Sequence, residues 1–403
     1  MRRLRGVAGV CLLGTTAVLA GCASGSSSSA AGSSAAATSS PYRVMIITAT
    51  SGPAASFGLA EAGGLKAAIA SLNQSGGILG HKIVLTVAND QADPTQAVSL
   101  LQNAISSGNT PNLVEDGVTS NETLALLPAL TQHQILGIGE TGSDQIDTPS
   151  KYPYAFSLSP VPSTGVQAMI SYVAQHFPGK KVGVLTGNDA VGQSSEATYK
   201  QLYQGNSNVV FGTYVTTAVD QTAALQRMRD QGVQVLILSG FGAQIGYVVK
   251  ARATIGWNVP VVGDDGVAAS ALPSLVGAAA LNGITVENQS IGVYQPPAQQ
   301  SPALQALIKG VQAQGPITQT LLLYAFTWDI MQLVNLGAEQ AHSITTPAIA
   351  LALEHLKQPA QKPYVSYNTE AFTTTQHMIV ANPSTDFIFG PANVQVVDGL
   401  AKW

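Results

Sequence analysis

Short apolar runs alternate along this chain, from Tyr42 onward, with longer segments in which apolar residues recur at helical spacing. Runs of about four to eight apolar residues, bounded by glycine or polar residues, are typical of buried strands. The pattern predicts strands at 44–48, 83–88, 112–114, 135–138, 182–186, 209–215, 233–238, 259–262 and 284–286. Between these strands it predicts helices at 58–73, 94–106, 121–132, 163–176, 190–203, 222–231 and 243–256.

Regular alternation of strand and helix predicts an α/β protein with parallel sheets that helices cover on both faces. The alternation continues beyond the strands of a single sheet, so we predict two successive lobes. The segment Pro160-Val161-Pro162 is the expected first crossing between them. The length of the chain agrees, because single hydrophobic cores stop growing at about 250–300 residues.

The pattern changes after Glu287 to two long helices, near 302–314 and 318–339, before the C-terminal segment returns to strands. A chain that goes back to complete its earlier lobes gives such a pattern. We therefore predict two discontinuous lobes. The first is expected to combine 42–160 with 288–365, and the second to combine 161–287 with 366–403.

The N-terminus has the composition of a secretory signal. A basic start with Arg2, Arg3 and Arg5 precedes an apolar stretch, 6–19, that is too short to span a bilayer permanently. The stretch ends in Leu19-Ala20-Gly21-Cys22, which resembles the lipobox of bacterial lipoproteins. That resemblance implies a signal peptide at 1–21 and a lipid on the thiol of Cys22.

The residues that follow predict a flexible tether. Segment 23–40 consists almost entirely of Ser, Ala, Gly and Thr, which cannot bury a core, so we assign 22–41 to the acylated Cys and its tether. The other cysteine, Cys11, lies in the predicted signal peptide. The mature chain would therefore have no disulfide and no free thiol for redox or metal chemistry.

The charge of the chain argues against a nucleic-acid partner, and its hydropathy gives no sign of a second membrane-spanning segment. Only 10% of the residues are charged and the net charge is −4, which argues against nucleic acid, since nucleic-acid binding needs a basic surface. The mean hydropathy is +0.21, but no second stretch of about 18 apolar residues is evident. These features favour a soluble body held at a membrane by its lipid, outside the cytoplasm.

Motifs for catalysis are weak. The segment 137–142 matches the GxGxxG dinucleotide fingerprint, but the residues after it, 143–149, do not continue as a helix. The six His residues show no metal-ligand spacing, and the body lacks a Gly-x-Ser-x-Gly elbow. We expect no metal, no cofactor and no enzymatic activity.

Two polar features suggest a binding site. Asp264 and Asp265 follow a predicted strand, at the edge where open α/β sheets bind ligands, and one of them could pair with a ligand ammonium. Ser120 is a predicted N-cap, and the hydroxyl and backbone N–H groups at a helix N-terminus form an anion site. On the sequence alone, a cap that serves only its own helix is an equal alternative.

Three segments in order carry a family resemblance: Thr50–Gly58 (TSGPAASFG), Asn73–Lys82 (NQSGGILGHK) and Asp90–Ala97 (DQADPTQA). Behind a lipobox, they make the chain resemble the type I periplasmic binding proteins, most closely the leucine/isoleucine/valine-binding branch of ABC importers. The resemblance runs from about Val44 to the C-terminus. It implies two Rossmann-like lobes with parallel sheets, joined by a multi-strand hinge.

The same resemblance implies a set of ligand contacts. In the first lobe, Ser120, Thr141 and Ser143 would hold the ligand's carboxylate, and Asp265 in the second lobe would take the ammonium. Aromatic positions of the family match Phe57 on the first lobe and Phe241 on the second. Val191 stands where branched-chain binders often have Tyr, and Phe241 also replaces a Tyr, which puts the identity of the ligand in doubt.

The implied function is that of a substrate-binding lipoprotein of an ABC importer, which captures a branched-chain-like amino acid by hinge closure. Its implied partners are the ligand, the permease and ATPase subunits, and the membrane through the lipid. One alternative keeps the fold but binds an amide, a urea-like compound or an aromatic acid. Another is a receptor module that senses the ligand instead of delivering it.

Overall fold

The computed structural model describes residues 40–269, 272–367 and 372–403. The predicted signal peptide at 1–21, the predicted lipidation site Cys22 and residues 23–39 of the predicted tether lie outside the described residues. Within them, the strands in chain order are β1 (Tyr42–Thr48), β2 (Ile83–Asn89), β3 (Leu113–Asp116), β4 (Leu136–Gly139), β5 (Ala155–Pro160), β6 (Val182–Gly187), β7 (Val209–Tyr214), β8 (Val235–Leu238), β9 (Val261–Gly263), β10 (Ile284–Gln289), β11 (Met378–Ile379), β12 (Phe387–Pro391), β13 (Gln395–Val397) and β14 (Leu400–Lys402).

Helices separate most of the strands. In chain order they are α1 (Ala55–Gln74), α2 (Pro94–Ser106), α3 (Ser120–Gln132), α4 (Pro162–His176), α5 (Ala190–Leu202), α6 (Thr222–Asp230), α7 (Ala243–Thr254), α8 (Asp265–Ala269), α9 (Leu272–Leu275), α10 (Pro302–Gln314), α11 (Leu321–Ala341) and α12 (Thr346–Glu354). The predicted α/β class with parallel sheets in two lobes is confirmed.

The first lobe is built on a parallel sheet with the strand order β11-β5-β4-β3-β1-β2. Alternate side chains of its strands point to opposite faces. On β1, Ile46 packs with the helices α1, α10 and α11 on one face, and Ile47 packs with α2 and α3 on the other. The strand order reverses between β1 and β3, which opens a crevice at the carboxyl ends of these strands.

The second lobe repeats the arrangement. Its sheet has the order β12-β10-β9-β8-β6-β7, and only β12 runs antiparallel to its neighbour. Helices α6 and α7 pack on one face, and α4 and α5 pack on the other. A second crevice therefore opens between β6 and β8.

Three connections between the lobes are seen in the described part of the chain. The chain leaves the first sheet after Pro160, leaves the second sheet after Gln289, and passes from β11 to β12 near the C-terminus. This last passage differs from the expected assignment of 366–403 to the second lobe, because Met378 pairs with Ser157 of β5 in the first sheet. A two-residue strand carries no periodicity that a sequence pattern could detect.

The core of the first lobe is formed around α11. This helix, Leu321–Ala341, is long and apolar enough to cross a membrane. However, 89% of its most apolar 18-residue segment is buried inside the protein. Gly64 of α1 lies against Tyr324 of α11, where the absence of a Cβ lets the two helix backbones approach closely. The helix α11 is therefore a core helix, and it packs closely along α1 on one face of the first sheet.

Candidate functional site

A cavity of about 130 Å³ lies between the two lobes, and we call it the cleft. Its walls come from residues that follow the carboxyl ends of β1, β3 and β4 in the first sheet and of β6, β8 and β9 in the second. The crevice between β1 and β3 and the crevice between β6 and β8 therefore both open into the cleft. Most of the residues predicted to bind ligand lie on its wall, and these are Phe57, Ser120, Thr141, Val191, Phe241 and Asp265.

Ser120 occupies the first turn of α3 and is not the N-cap. Thr119 is the N-cap, because the side chain of Glu122 accepts a hydrogen bond from the backbone N–H of Thr119, with a distance of 2.7 Å. Ser120 is only 4% exposed, and its Oγ has no hydrogen-bond partner among the described residues. A buried hydroxyl without a partner, beside the N–H groups that begin a helix, suits an anionic ligand group.

The hydroxyl of Thr141 is the first donor in a chain of two hydrogen bonds. Thr123 Oγ1 donates to the backbone oxygen of Asp116 at 2.7 Å, so its proton is committed to that oxygen. The hydrogen bond of 2.7 Å between Thr141 Oγ1 and Thr123 Oγ1 must then have Thr141 as the donor. Thr141 can therefore offer a ligand only lone pairs, which suit an ammonium rather than the carboxylate that we expected at this hydroxyl.

Ser143 does not lie on the wall of the cleft. Its Oγ is fully buried and lies 3.2 Å from Ser194 Oγ of α5 in the second lobe. Ser194 in turn donates to Asp144 Oδ1 at 2.7 Å. The structure thus gives Ser143 a contact between the lobes, which differs from the expected contact with a ligand.

Asp264 and Asp265 both line the cleft, but their carboxyl groups are held differently. Asp264 accepts hydrogen bonds from Ser239 Oγ at 2.5 Å and from the backbone N–H groups of Gly240 and Val267. Asp265 accepts bonds from its neighbour Gly266 N and from Gln289 Nε2 at 3.3 Å. Asp265 keeps more acceptor capacity and is the better partner for a ligand cation.

Sequence reasoning missed two further carboxyl groups on the wall of the cleft, Glu61 and Glu140. Glu61 of α1 is 3% exposed and accepts a hydrogen bond of 2.8 Å from Thr48 Oγ1. Glu140 follows β4, and its Oε1 has no partner among the described residues. Glu140 lies inside the GxGxxG match. The fingerprint is defined by its glycines, so the acidic residue between them carried no signal of its own.

The glycines of that match serve the local packing. A Cβ on Gly139 would come within 2.1 Å of Asp116 Oδ1, so the glycine makes room for this buried carboxyl group. A Cβ on Gly142 would lie 3.4 Å from Val191, at the junction of the two lobes. Neither glycine begins a helix whose N-terminus could hold a phosphate.

An aromatic contact joins the two lobes across the cleft. The rings of Phe57 and Phe241 meet edge to face, with their centroids 6.1 Å apart. Such pairs contribute about 0.5–1.5 kcal/mol beyond the apolar area that they bury. The contact makes part of the wall of the cleft apolar.

No Lys, Arg or His lines the cleft among the described residues. Burial, together with repulsion from the nearby carboxylates of Asp90 and Asp265, respectively, raises the pKa of Glu61 and of Asp264 to about 7. Burial also raises the pKa of Glu140, with added repulsion from Glu61. Within the same residues, no group of three or more His, Cys, Asp or Glu is arranged to hold a metal ion.

The raised pKa of Glu61 predicts a pH-dependent stability of the ligand-free protein. Between the ordinary pKa of 4.5 and the raised pKa of about 7, the folded state binds more protons than the unfolded state, so the free energy of unfolding falls as the pH rises. For Glu61 alone the loss is roughly 3 kcal/mol between pH 4.5 and pH 7.5. Urea denaturation at several pH values measures it.

Glu61→Gln should make this pH profile less steep by the contribution of Glu61, and Glu339→Gln, the same change at an exposed site on α11, should leave the profile unaltered. A free energy of unfolding that stays constant or rises from pH 5 to pH 7.5 in the native protein would contradict the raised pKa.

Comparison with known proteins gives one family and many similar folds. The family model described as periplasmic binding protein matches residues 41–384. The chain is 25% identical over 240 residues to the leucine-specific-binding protein of Salmonella typhimurium, which covers 59% of this chain and 64% of that relative. The chain thus aligns with somewhat less than two thirds of this relative's length.

Two solved structures illustrate the fold. The branched-chain amino acid transporter substrate-binding protein LivJ from Streptococcus pneumoniae, in complex with isoleucine, superposes with a TM-score of 0.71 at 19% identity, over 87% of this chain and 100% of that one. The solute-binding protein of an ABC transporter from Rhodopseudomonas palustris, in complex with 3,4-dihydroxybenzoic acid, superposes with a TM-score of 0.70 at 19% identity. The superposition covers 89% of this chain and 94% of that one. The family match covers most of the chain, and the two parallel sheets have the same fold as these proteins. The chain therefore belongs to the type I periplasmic binding proteins of the leucine/isoleucine/valine-binding family.

Proposed function

We propose that this protein is the substrate-binding component of an ABC importer and captures an amino acid between its lobes. The observation that carries the proposal is the pairing of two opposite sites across one cleft. An unpartnered, buried Ser120 hydroxyl begins α3 on the first lobe, and the carboxyl group of Asp265 faces the same space from the second. A zwitterion presents the complementary pair of charges.

The proposed pose follows from the donors and acceptors. The α-carboxylate accepts from Ser120 Oγ and from the first N–H groups of α3, and the α-ammonium donates to Asp265 and to the lone pairs of Thr141 Oγ1. A cleft of about 130 Å³ is close to the roughly 150 Å³ of a protein cavity that holds benzene, so it suits one amino acid and not a peptide.

Capture in this pose needs no catalytic step. The three connections between the lobes, after Pro160, after Gln289 and between β11 and β12, act as a hinge about which the lobes close. The contacts of Phe57 with Phe241 and of Ser143 with Ser194 then hold the closed form. The closed protein delivers its ligand to the permease, and the ATPase subunits drive transport.

The proposal includes attachment to the membrane. The family implies a location outside the cytoplasm, and Cys22 in its lipobox-like context supplies the lipid anchor. Mass spectrometry of the protein from the membrane fraction tests the anchor, because cleavage before Cys22 and acylation of that residue change the mass of the N-terminal peptide. An N-terminal peptide that begins before Cys22 would contradict it.

One observation favours a second ligand class. The structural neighbour from Rhodopseudomonas palustris is in complex with an aromatic acid, and the Phe57–Phe241 pair lines the cleft here. An aromatic carboxylate could use Ser120 but would leave Asp265 without a cation. Burying the Asp265 carboxylate beside an anionic ligand that offers no cation is costly, so we rank the aromatic acid second.

A thermal-shift screen tests the proposed function. The panel contains the L-amino acids, simple amides, urea and hydroxybenzoic acids, and a ligand at about 100 times its Kd adds about 2.7 kcal/mol to the free energy of unfolding. We expect an L-amino acid to raise the Tm. Its methyl ester, which lacks the carboxylate, and its N-acetyl form, which lacks the ammonium, should both fail to do so. A rise with hydroxybenzoic acids and with no amino acid would refute the proposal.

A further inference from the structure

A second cavity of about 100 Å³ adjoins the cleft, and we call it the side chamber. It shares part of its wall with the cleft through Gly142, Ser159, Val191, Asp264 and Asp265. Beyond this shared wall it extends into the second lobe toward α4 and β10. A ligand held by Asp265 therefore has a place into which its side chain can extend.

The wall of the side chamber has an apolar part and an acidic part. Val166 and Met169 of α4 and Phe387 of β12 supply apolar surface. The carboxyl groups of Asp264, Asp265 and Glu287 supply the acidic surface, and no Lys, Arg or His among the described residues lines the chamber. An aliphatic stem with a cationic end matches this combination, because such side chains bury their methylene groups and keep a charged head.

Glu287 of β10 stands out among these carboxyl groups. It is 1% exposed, and its Oε1 has no hydrogen-bond partner among the described residues. The other oxygen, Oε2, lies 3.5 Å from the position that a Cβ on Gly165 would occupy, so the glycine leaves space beside the carboxyl group. A buried acceptor without a donor is unfavourable, and a ligand cation placed here would supply the missing partner.

The surrounding charges increase the need for a cation. Burial raises the pKa of Glu287 well above its ordinary value, and the carboxylates of Asp265 and Asp264 raise it further. The other titratable side chain of the chamber is the phenol of Tyr199, whose pKa burial and the same carboxylates raise. Beside a neutral aliphatic side chain these carboxyl groups would tend to take up protons, whereas a ligand cation could pair with them in their charged form.

We propose that the side chamber receives the cationic end of the ligand's side chain, with Glu287 as its partner, so that the ligand is an amino acid with a positively charged side chain. The inference rests on the proposed function, since the α-carboxylate and α-ammonium keep their contacts with Ser120 and Asp265. It adds a second cation site to the same ligand.

Calorimetry with matched ligands tests the inference. L-Lysine and L-norleucine differ only in the terminal ammonium, and L-ornithine and L-norvaline form a second such pair. With the purified full chain at pH 7.5, we expect the better basic member to bind roughly 30-fold tighter than its neutral counterpart. L-Arginine and putrescine complete the panel, and putrescine reports binding of a cation without a carboxylate.

Two variants locate the effect. Glu287→Gln should remove the preference for the basic ligand and leave the affinity for the neutral one within about threefold, because the amide keeps the shape but not the charge. Gly165→Val should fill part of the side chamber and weaken the binding of lysine and of norleucine alike. The affinity for L-alanine, whose side chain does not reach the chamber, should stay unchanged. Glu339→Gln is the control, and circular dichroism verifies the fold of each variant.

The possible failures are distinct. If norleucine or leucine binds tighter than every basic amino acid, the inference is wrong and the proposed function stands. If putrescine or an aromatic acid binds and no amino acid does, both are wrong. If Glu287→Gln does not fold, the comparison of lysine with norleucine on the native protein and on Gly165→Val still decides the inference.

Discussion

Replacing Asp265 by alanine should weaken binding of the native ligand by roughly 2–5 kcal/mol, which corresponds to about 30-fold to several thousand-fold in Kd. The ligand ammonium would remain buried in the closed cleft after losing the carboxylate that pairs with it. Isothermal titration calorimetry with the tightest amino acid from the screen measures the effect.

Two further variants make this experiment specific to charge. Asp265→Asn keeps the shape of the side chain and one oxygen that can accept from Gln289 or Gly266, so it should lose most of the affinity chiefly through the lost charge. Asp230→Asn, at the exposed end of α6, is the matched control and should bind as the native protein does. Unchanged affinity in Asp265→Ala would exclude an ammonium at this position and with it the amino-acid assignment.

The second large effect concerns stability. Gly64→Ala should lower the free energy of unfolding by about 3 kcal/mol, at the upper end of the usual cost of overpacking. The added Cβ would lie 2.2 Å from the backbone oxygen of Tyr324 and 2.4 Å from Thr327 Oγ1, so that α1 and α11 would have to separate. Alanine's higher helix propensity, worth about 1 kcal/mol, offsets only part of this cost.

Gly63→Ala is the natural comparison, one residue away on the same helix. Its added Cβ would lie 3.1 Å from the ring of Tyr324, a side chain that can shift, so the loss should be clearly smaller. Urea denaturation of both variants gives the two free energies. Equal stability of the two variants would show that the approach of α1 to α11 is not limited by Gly64.

Most of the fold follows from the sequence because its elements are regular. Helix α2 has the predicted bounds, and Asp93 caps it by accepting from the N–H groups of Thr95 and Gln96. The strand β5, Ala155–Pro160, was not predicted, because serine and proline interrupt its apolar residues. Helix α12, Thr346–Glu354, was also missed, since a short apolar segment does not distinguish strand from helix.

The site was predictable where a residue follows a strand or begins a helix, and less so where the partner is distant in sequence. Ser120 and Asp265 come directly after loops at the carboxyl ends of strands, and the resemblance to the family placed them. Glu61 is buried against Thr48 by the packing of α1, which no local pattern reports. Ser143 contacts Ser194 in the other lobe, and no local sequence pattern reports a contact between residues so far apart.

The late return of the chain through β11 and β12 bears on the order of folding. Each sheet receives a strand from the last part of the chain, so neither sheet is complete until nearly all of the polypeptide has been made. Contacts between residues so far apart in sequence form slowly, because a large loop must close first. A nascent chain of this topology stays incompletely folded through most of its synthesis, which suits a polypeptide that must cross a membrane before its two sheets assemble.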